Sequence, residues 1–206
     1  MNFFCCATTK SATIKYVVEM YTSSTSGCFK YEDKTKFDNL CKKGCPNYSY
    51  KWSCPPYAPL FEDFVSGWEK IHIIFMHADM IQFAYIQNDY LKIKAANNML
   101  KSRADRFIRE MANQHGKCIS TGSCRLCKSC KRKLNMPCAH PELMTYSFEA
   151  LGIDVGRMIR DYFEKPLIWY KRNYLPEYTS VVCGILTNES LSEEYLQVMY
   201  KKYITY

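Results

Sequence analysis

The chain has 206 residues, 48% of them hydrophobic and 15% aromatic, and its formal charge is +8 at pH 7. This length suits one sizeable hydrophobic core, so we expect residues 1–206 to form a single domain, and the composition excludes a disordered or repetitive chain. The start, MNFFCCATTK, lacks the basic and apolar regions of a secretory signal, and the most apolar stretch, residues 71–86, is too short and too polar to span a membrane.

Twelve residues are cysteine, which is a high number for a chain of this length. Without an export signal they indicate a reducing, cytoplasmic compartment, where thiols serve metal binding or catalysis instead of disulfides. The positive charge does not indicate a nucleic-acid partner. Seven metal-bound thiolates and two iron–sulfur cores would lower the net charge to about +5.

In the first half of the chain, hydrophobic periodicity predicts three strands and one helix. Apolar and polar residues alternate from Ile14 to Met20, which is typical of a half-buried strand. Residues 70–77 are apolar on both faces, as a central strand requires, and His72 and His77 within it are expected to be core or strand-end histidines. The other expected elements are a loop at 21–36, a helix at 59–68 and a short strand at 82–86.

In the second half, the longest helix is expected at 89–114, where apolar residues recur every three or four positions and Gly116 follows as a stop. A short strand at 117–121 comes next, with Cys118 packed against the sheet. The remaining expected elements are a turn capped by Ser147, a helix capped by Asp154, a buried strand at 178–186, and a terminal helix that runs from a capping box at Ser190–Glu193 to about Tyr203.

Helices and strands interleave along the chain without a clean repeat, which indicates the α/β class. We therefore expect a single domain with a mixed sheet flanked by helices, in two or three layers. Two cysteine-rich metal-binding loops are expected at one edge of this sheet.

The strongest chemical signal is the segment TGSCRLCKSCKRKLNMPCAHP. It places Cys124, Cys127 and Cys130 at two-residue spacings, and Cys138 follows after a proline. Three thiolates at this spacing form one concave loop that suits a 4Fe–4S cluster, whose sulfides accept hydrogen bonds from backbone N–H groups. A single zinc ion is the alternative, although zinc usually takes two separate cysteine pairs.

A second cluster of cysteines lies earlier, in LCKKGCPNYSYKWSCPPYAP. It contains Cys41, Cys45 and Cys54, and its prolines rule out a continuous helix, so we expect an ordered loop. These thiols are expected to bind metal, the alternative being free thiols buried in a core.

A run of basic residues accompanies the later segment and consists of Lys128, Lys131, Arg132 and Lys133. Such a run is typical of a solvated face. Two functional interpretations are a lowered pKa at the neighbouring thiols and a docking face for an acidic, low-potential electron donor such as a ferredoxin or flavodoxin.

These segments resemble a prokaryotic family of predicted metal-binding proteins, domain of unknown function 2284, which recurs in anaerobes and archaea. The resemblance covers nearly the whole chain through CPNYSYKWSCPPYAP, TGSCRLCKSC, PCAHPE and SFEALGIDV. It implies metal binding at seven matched cysteines and gives no reaction. The family's usual arginine before His-Pro is Ala139 here. The matched cysteines are Cys41, Cys45, Cys54, Cys124, Cys127, Cys130 and Cys138.

Seven cysteines are one too few for two fully ligated 4Fe–4S clusters, so one iron would keep an open position that can bind a substrate. Our leading hypothesis is an enzyme for sulfur removal or transfer, reductive elimination or dehydration. A cluster on Cys41, Cys45 and Cys54 would bind a small-molecule substrate, and a cluster on the later four cysteines would supply electrons. Glu149 is the candidate proton donor. The candidate substrate-binding aromatics are Tyr48, Tyr50, Trp52 and Tyr57.

Several alternatives stay open at this point. Cys138 could serve the other loop, and Cys28, Cys118, Cys183 or His140 could supply an eighth ligand. The aromatics could simply pack in the core, and Glu149 could be a helix-cap carboxylate. The alternative functions are a ferredoxin-like electron carrier or metallocentre-maturation partner, and a zinc-stabilised structural module.

Overall fold

The structure is a computed structural model that describes residues 1–9, 11–171 and 174–204. In these residues five strands form one sheet in the order β1-β2-β3-β5-β4. The strands are β1 (Asn2–Thr8), β2 (Thr13–Ser24), β3 (Lys70–Asp79), β4 (Gly116–Ile119) and β5 (Tyr178–Thr187). The expected α/β class is confirmed.

Every pair of neighbouring strands is antiparallel, so the sheet is not the mixed sheet that we expected. Strands β3 and β4 do run in the same direction, as a connecting helix between two strands usually requires. Strand β5, however, lies between them and is antiparallel to both. No parallel pair therefore forms in the described residues.

In the described part of the chain, five α-helices and four 3₁₀ helices accompany this sheet. The α-helices are α1 (Lys34–Gly44), α2 (Phe61–Val65), α3 (Asp89–His115), α4 (Val155–Phe163) and α5 (Glu193–Ile204). The 3₁₀ helices are Ser26–Tyr31, Met80–Phe83, Lys131–Leu134 and Pro141–Leu143. No helix in the described ranges is long and apolar enough to cross a membrane.

The sheet is covered on both faces, which gives three layers. On one face Ile74 and Met76 of β3 pack beneath α3 and α5. On the other face Ile73 and Phe75 pack against α2, α4 and the 3₁₀ helix Ser26–Tyr31. The prediction that β3 is a central strand buried on both faces is confirmed.

Both histidines of β3 occupy the structural positions expected of them. His72 is fully buried and hydrogen bonded to Thr22 and Thr187. His77 lies near the end of the strand, where Nε2 is 3.1 Å from Glu19 Oε1.

For two predicted elements the type of secondary structure was wrong. The loop expected at 21–36 contains the end of β2, a 3₁₀ helix and the start of α1. The strand expected at 82–86 is replaced by the 3₁₀ helix Met80–Phe83, because Met80 and Phe83, three residues apart, are both buried on one side of the turn. Strand β1 was not predicted.

Other elements were predicted correctly or with shifted ends. Helix α3 matches its prediction closely, and Asp154 caps α4 by accepting a hydrogen bond from Arg157 N–H at 3.0 Å. Helix α2 is shorter than the predicted 59–68. The cap of α5 is Ser192, not Ser190, because Ser192 Oγ accepts from Tyr195 N–H at 3.1 Å.

Candidate metal centre

The first cysteine segment is fixed to the rest of the protein through the start of α1. Asp33 N–H donates to the Gly152 carbonyl at 2.7 Å, and Lys34 Nζ donates to the Ala150 carbonyl at 3.0 Å. Gly152 has a φ of 95°, and a Cβ atom there would lie 2.9 Å from Lys34 Cα, so only glycine fits this close crossing. Cys41 follows two turns after Lys34 on the same side of α1.

Cys41 and Cys45 lie at the end of α1. Cys45 is the C-terminal cap, and its N–H donates to the Cys41 carbonyl at 3.0 Å. The sequence placed both residues in a loop, which is wrong for Cys41, because Asp33 caps a helix that continues to Gly44. Pro46 comes directly after the cap, where a helix cannot continue.

Cys54 lies in the expected ordered, non-helical segment that follows. Ser49 N–H donates to the Pro55 carbonyl at 2.9 Å, and Tyr57 N–H donates to the Cys54 carbonyl at 3.0 Å. Cys54 is buried, with 6% of its surface exposed, whereas Cys41 and Cys45 are half-buried.

Lys51 and Ser53 join the two cysteine segments. The N–H of Cys124 donates to Ser53 Oγ at 3.0 Å. Lys51 Nζ donates to the Cys124 carbonyl and to Ser123 Oγ, both at 3.0 Å. Residues next to Cys54 therefore hold the backbone at the start of the later cysteine segment.

The later four cysteines line one cavity of about 350 Å³. Its wall also includes Tyr50 and Trp52 from the first segment and His140 from the second. All four cysteines are half-buried and free. A cavity whose wall carries four thiols has the donor chemistry that an iron–sulfur cluster or a zinc ion requires.

The candidate aromatics divide between this cavity and an adjoining cleft. Tyr50 and Trp52 line the cavity, whereas Tyr57 lines the cleft together with Trp52, and Tyr48 lines neither. The rings of Trp52 and Tyr57 meet edge to face with their centres 4.9 Å apart. Trp52 Nε1 donates to the Met136 carbonyl at 2.9 Å, so this ring also connects the two segments.

Arg132 differs from its basic neighbours. Its guanidinium lies 4.5 Å from the ring centre of Tyr57 and 5.3 Å from that of Trp52, and it donates to the Tyr57 hydroxyl. It is half-buried, whereas Lys128, Lys131 and Lys133 are exposed. The solvated face is therefore made by the three lysines, and the arginine stabilises the aromatic wall.

The thiols of the first segment are close enough to interact electrostatically. Burial, together with the charges of Cys45, Cys54 and the Glu149 carboxylate, raises the pKa of Cys41 to about 11. Burial also raises the pKa of Cys54, with contributions from Cys45 and Cys130. Because crowded thiols resist deprotonation, a bound cation would stabilise their thiolates.

Glu149 lies away from the thiol-lined cavity. It follows Ser147, whose hydroxyl accepts from Ala150 N–H at 3.3 Å, so the predicted capped turn is confirmed. Its carboxylate lies within electrostatic range of both Cys41 and Lys101, and raises the pKa of each. It lines a second cavity, between α3 and β5.

Comparison with known proteins gives one match. The family model "Predicted metal-binding protein (DUF2284)" matches residues 26–186, which include both cysteine segments. The chain belongs to this family. No curated protein and no solved structure matches this DUF2284 protein.

In this DUF2284 protein the donor set fits a metal centre in its chemistry. Seven free thiols lie on two segments that contact each other, and a cavity borders four of them. In the described part of the chain, however, no three Cys, His, Asp or Glu side chains are arranged to ligate one metal ion. The assignment of individual ligands therefore stays a prediction.

The candidates for an eighth ligand occupy different places. Cys28 and Cys183 are fully buried in the two hydrophobic cores, and Cys118 is buried beside Cys183, as its predicted packing role requires. Burial raises the pKa of the Cys28 thiol and of the Cys118 thiol to about 11. Only His140 of the four lines the thiol cavity.

Sequence reasoning missed Lys51, Ser53 and Lys101. The first two flank Trp52 and were hidden by the more conspicuous aromatics and cysteines. A signal for Lys101 was present, since Lys94, Asn97, Asn98 and Lys101 form a polar stripe at helical spacing along α3.

Proposed function

We propose that this DUF2284 protein is an iron–sulfur enzyme that holds two 4Fe–4S clusters. The observation that carries the proposal is the contact of Ser53 and Lys51 with Cys124, which brings two cysteine segments distant in sequence to one surface. Loops of this kind, rich in thiols that form no disulfide, are typical of cluster binding in a reducing compartment.

The residues that would hold the clusters are the seven cysteines of the two segments. Cys124, Cys127, Cys130 and Cys138 border the cavity of about 350 Å³ and would complete the ligation of one cluster. Cys41, Cys45 and Cys54 would hold the other and leave one iron without a thiolate. When bound, such an iron supplies a Lewis acid for a substrate oxygen, nitrogen or sulfur.

The position of Glu149 favours an enzyme over an electron carrier. Its carboxyl group lies near Cys41 and also lines a cavity that a small molecule could enter. Glu149 would hold a proton beside the substrate and transfer it to the leaving group, which suits sulfur removal, reductive elimination or dehydration. A pure electron carrier needs no proton donor.

The aromatic residues would act mainly on the later cluster. Tyr50 and Trp52 border its cavity, and Arg132 fixes Trp52 and Tyr57 in place. Aromatic walls exclude water and so influence the reduction potential of a cluster. The exposed lysines Lys128, Lys131 and Lys133 would dock a ferredoxin or flavodoxin that supplies electrons.

Anaerobic reconstitution followed by iron and acid-labile sulfide counts tests the proposal. We expect about eight irons per chain, as two cubane clusters require. Cys54→Ser should lower the iron count, whereas Cys6→Ser, at an exposed position of β1, should leave it unchanged. An iron count of about four per chain would indicate that the protein holds one cluster and not two. A protein that takes up zinc alone would refute the proposal.

A further inference from the structure

The second cavity, which lies between α3 and β5, has a volume of about 400 Å³. None of the seven cysteines lines it. Its size is within the range of about 300–1,000 Å³ that is usual for small-molecule sites. It has three walls: a polar stripe of α3, the backbone edge of β5, and the segment Leu167–Tyr170. Glu149 and Thr121 line it as well.

The β5 wall offers backbone groups without a strand partner. Strand β4 pairs with β5 only at Gly184–Thr187, so among the described residues the same edge of β5 is unpaired from Tyr178 to Cys183. Asn97 Nδ2 donates to Thr179 Oγ1 at 2.8 Å and fixes the side of α3 against this edge. The unpaired N–H groups on this edge are donors available to a ligand.

The charge of the cavity favours an anion. Its charged lining residues are Lys94, Lys101 and Glu149, so lysine is in excess. Lys101 is half-buried and forms no hydrogen bond or salt bridge in the part of the chain that is described. Burial and the charge of Arg125 lower the pKa of Lys101 although the carboxylates of Glu149 and Asp105 act in the opposite direction, so a further anion would stabilise its ammonium group.

The cavity also has apolar lining residues on each of its three walls. Ile93 comes from α3, Val181 from β5, and Leu167 and Ile168 from the third wall, where Trp169 adds a large ring that is 65% exposed to solvent. Tyr170 rests near Tyr90 of α3, with the ring centres 6.2 Å apart, and closes the wall toward the helix. Such a surface suits a hydrocarbon or aromatic body.

We propose that this cavity binds a small carboxylic acid with an aromatic or branched hydrocarbon body, its carboxylate paired with Lys101 and the β5 backbone edge. Because Glu149 lines this cavity and also lies within electrostatic range of Cys41, the bound acid is the substrate of the metal centre; this role rests on the proposed function. The residues of α3 and β5 would thus select the class of substrate, and they lie outside the thiol-lined cavity.

Titration of the metal-loaded protein with 3-phenylpropionate, followed by tryptophan fluorescence and calorimetry, tests the proposal. The uncharged 3-phenylpropan-1-ol should bind at least tenfold more weakly. Lys101→Met should weaken 3-phenylpropionate about tenfold, as expected for the loss of one charge-assisted hydrogen bond. Lys202→Met, on the exposed face of α5, is the matched control and should bind like the parent.

Trp169→Ala provides a second variant, because the exposed ring contributes little to folding and its loss should weaken the aromatic probe. Equal affinity in the parent and in Lys101→Met, or equal affinity for acid and alcohol, would overturn the proposal. Iron is counted in the same samples. If the protein binds the acid selectively but takes up no iron, the binding site is supported and the proposed function is refuted. If the protein takes up iron but does not bind the acid, the proposed function stands and the binding site is refuted.

Discussion

Ser53 Oγ accepts a hydrogen bond of 3.0 Å from the backbone N–H of Cys124, across 71 positions of the chain. The hydroxyl is buried, with 1% of Ser53 exposed, so water cannot replace it. The contact sits one residue before Cys54 and at the first cysteine of the later segment. Ser53 therefore acts together with Lys51 and Trp52 in holding the two cysteine segments against each other.

Ser53→Ala should loosen the later segment. A buried N–H without an acceptor costs about 1–3 kcal/mol, so we expect a loss of that size in the free energy of unfolding. A chelator should also remove iron faster from this variant. Urea denaturation and the rate of iron release are the measurements, with Ser129→Ala, an exposed serine of the same cavity, as control. Equal release rates would show that the hydrogen bond does not position the segment.

Removal of the metal should destabilise the two cysteine segments more than the sheet. Metal-binding free energy becomes folding free energy where ligands come from separate segments. A loss of about 3 kcal/mol would lower the melting temperature by roughly 6–12 °C. Hydrogen exchange should rise at 41–60 and 120–140 after chelation, while β3, buried on both faces, stays protected. Uniform exchange before and after chelation would contradict a structural role for the metal.

His72 gives a pH dependence that is independent of the metal centre. Thr187 Oγ1 donates to the Glu189 carbonyl at 2.8 Å and so accepts from His72 Nε2, which leaves Nδ1 to accept from Thr22. The buried ring is held neutral. Burial, with smaller effects of Lys70 and His115, lowers the pKa of His72 to about 4.

The unfolded chain therefore binds a proton at this ring near pH 6.5, whereas the folded protein binds it only near pH 4. The contribution of His72 to the free energy of unfolding is therefore fully present above pH 6.5 and is lost as the pH falls to about 4. By linkage this loss amounts to about 3 kcal/mol. His72→Gln should be less stable at pH 7.5 but should lose less stability between pH 6.5 and 4. Urea midpoints at several pH values measure this, and parallel curves for parent and variant would contradict it.

The sequence predicted those elements whose signal is local. Helix α3 repeats its apolar residues for 27 residues, and Asp154 caps α4 through its own side chain. Helix α1 was missed because none of its residues is buried, so it has no apolar stripe. Strand β1 was missed because Phe4 is 79% exposed and breaks the alternation of inward-facing Phe3 and Ala7.

Tertiary contacts account for the remaining differences. Gln82 lies in a 3₁₀ helix, yet its side-chain amide bonds both to the N–H of Lys15 at 2.7 Å and to its carbonyl at 2.8 Å. It thus acts as a strand partner for β2 without being in a strand. Likewise, cysteine spacing predicted two segments but not the contact of Ser53 with Cys124, since no local pattern encodes a pairing over such a sequence distance.

The exposed lysines beside the later cysteines offer a docking face for an electron donor. Lys128, Lys131 and Lys133 are exposed beside the cavity of the later cysteines, so an acidic donor bound there would lie close to the proposed electron-supplying cluster. Charge reversal at Lys131 and Lys133 should slow reduction by a flavodoxin about tenfold at low salt, because complementary charges mainly raise the association rate. The difference from the parent should shrink as salt screens the charges.

Stopped-flow reduction of the iron-loaded protein under anaerobic conditions measures this rate. Lys15→Glu is the matched control, since Lys15 is exposed on β2, in a different part of the fold. Reduction by dithionite, a small reductant that needs no docking face, should be equal in all variants. A reversed variant that accepts flavodoxin electrons as fast as the parent would show that the donor docks elsewhere, and the three lysines would then be no more than a solvated surface.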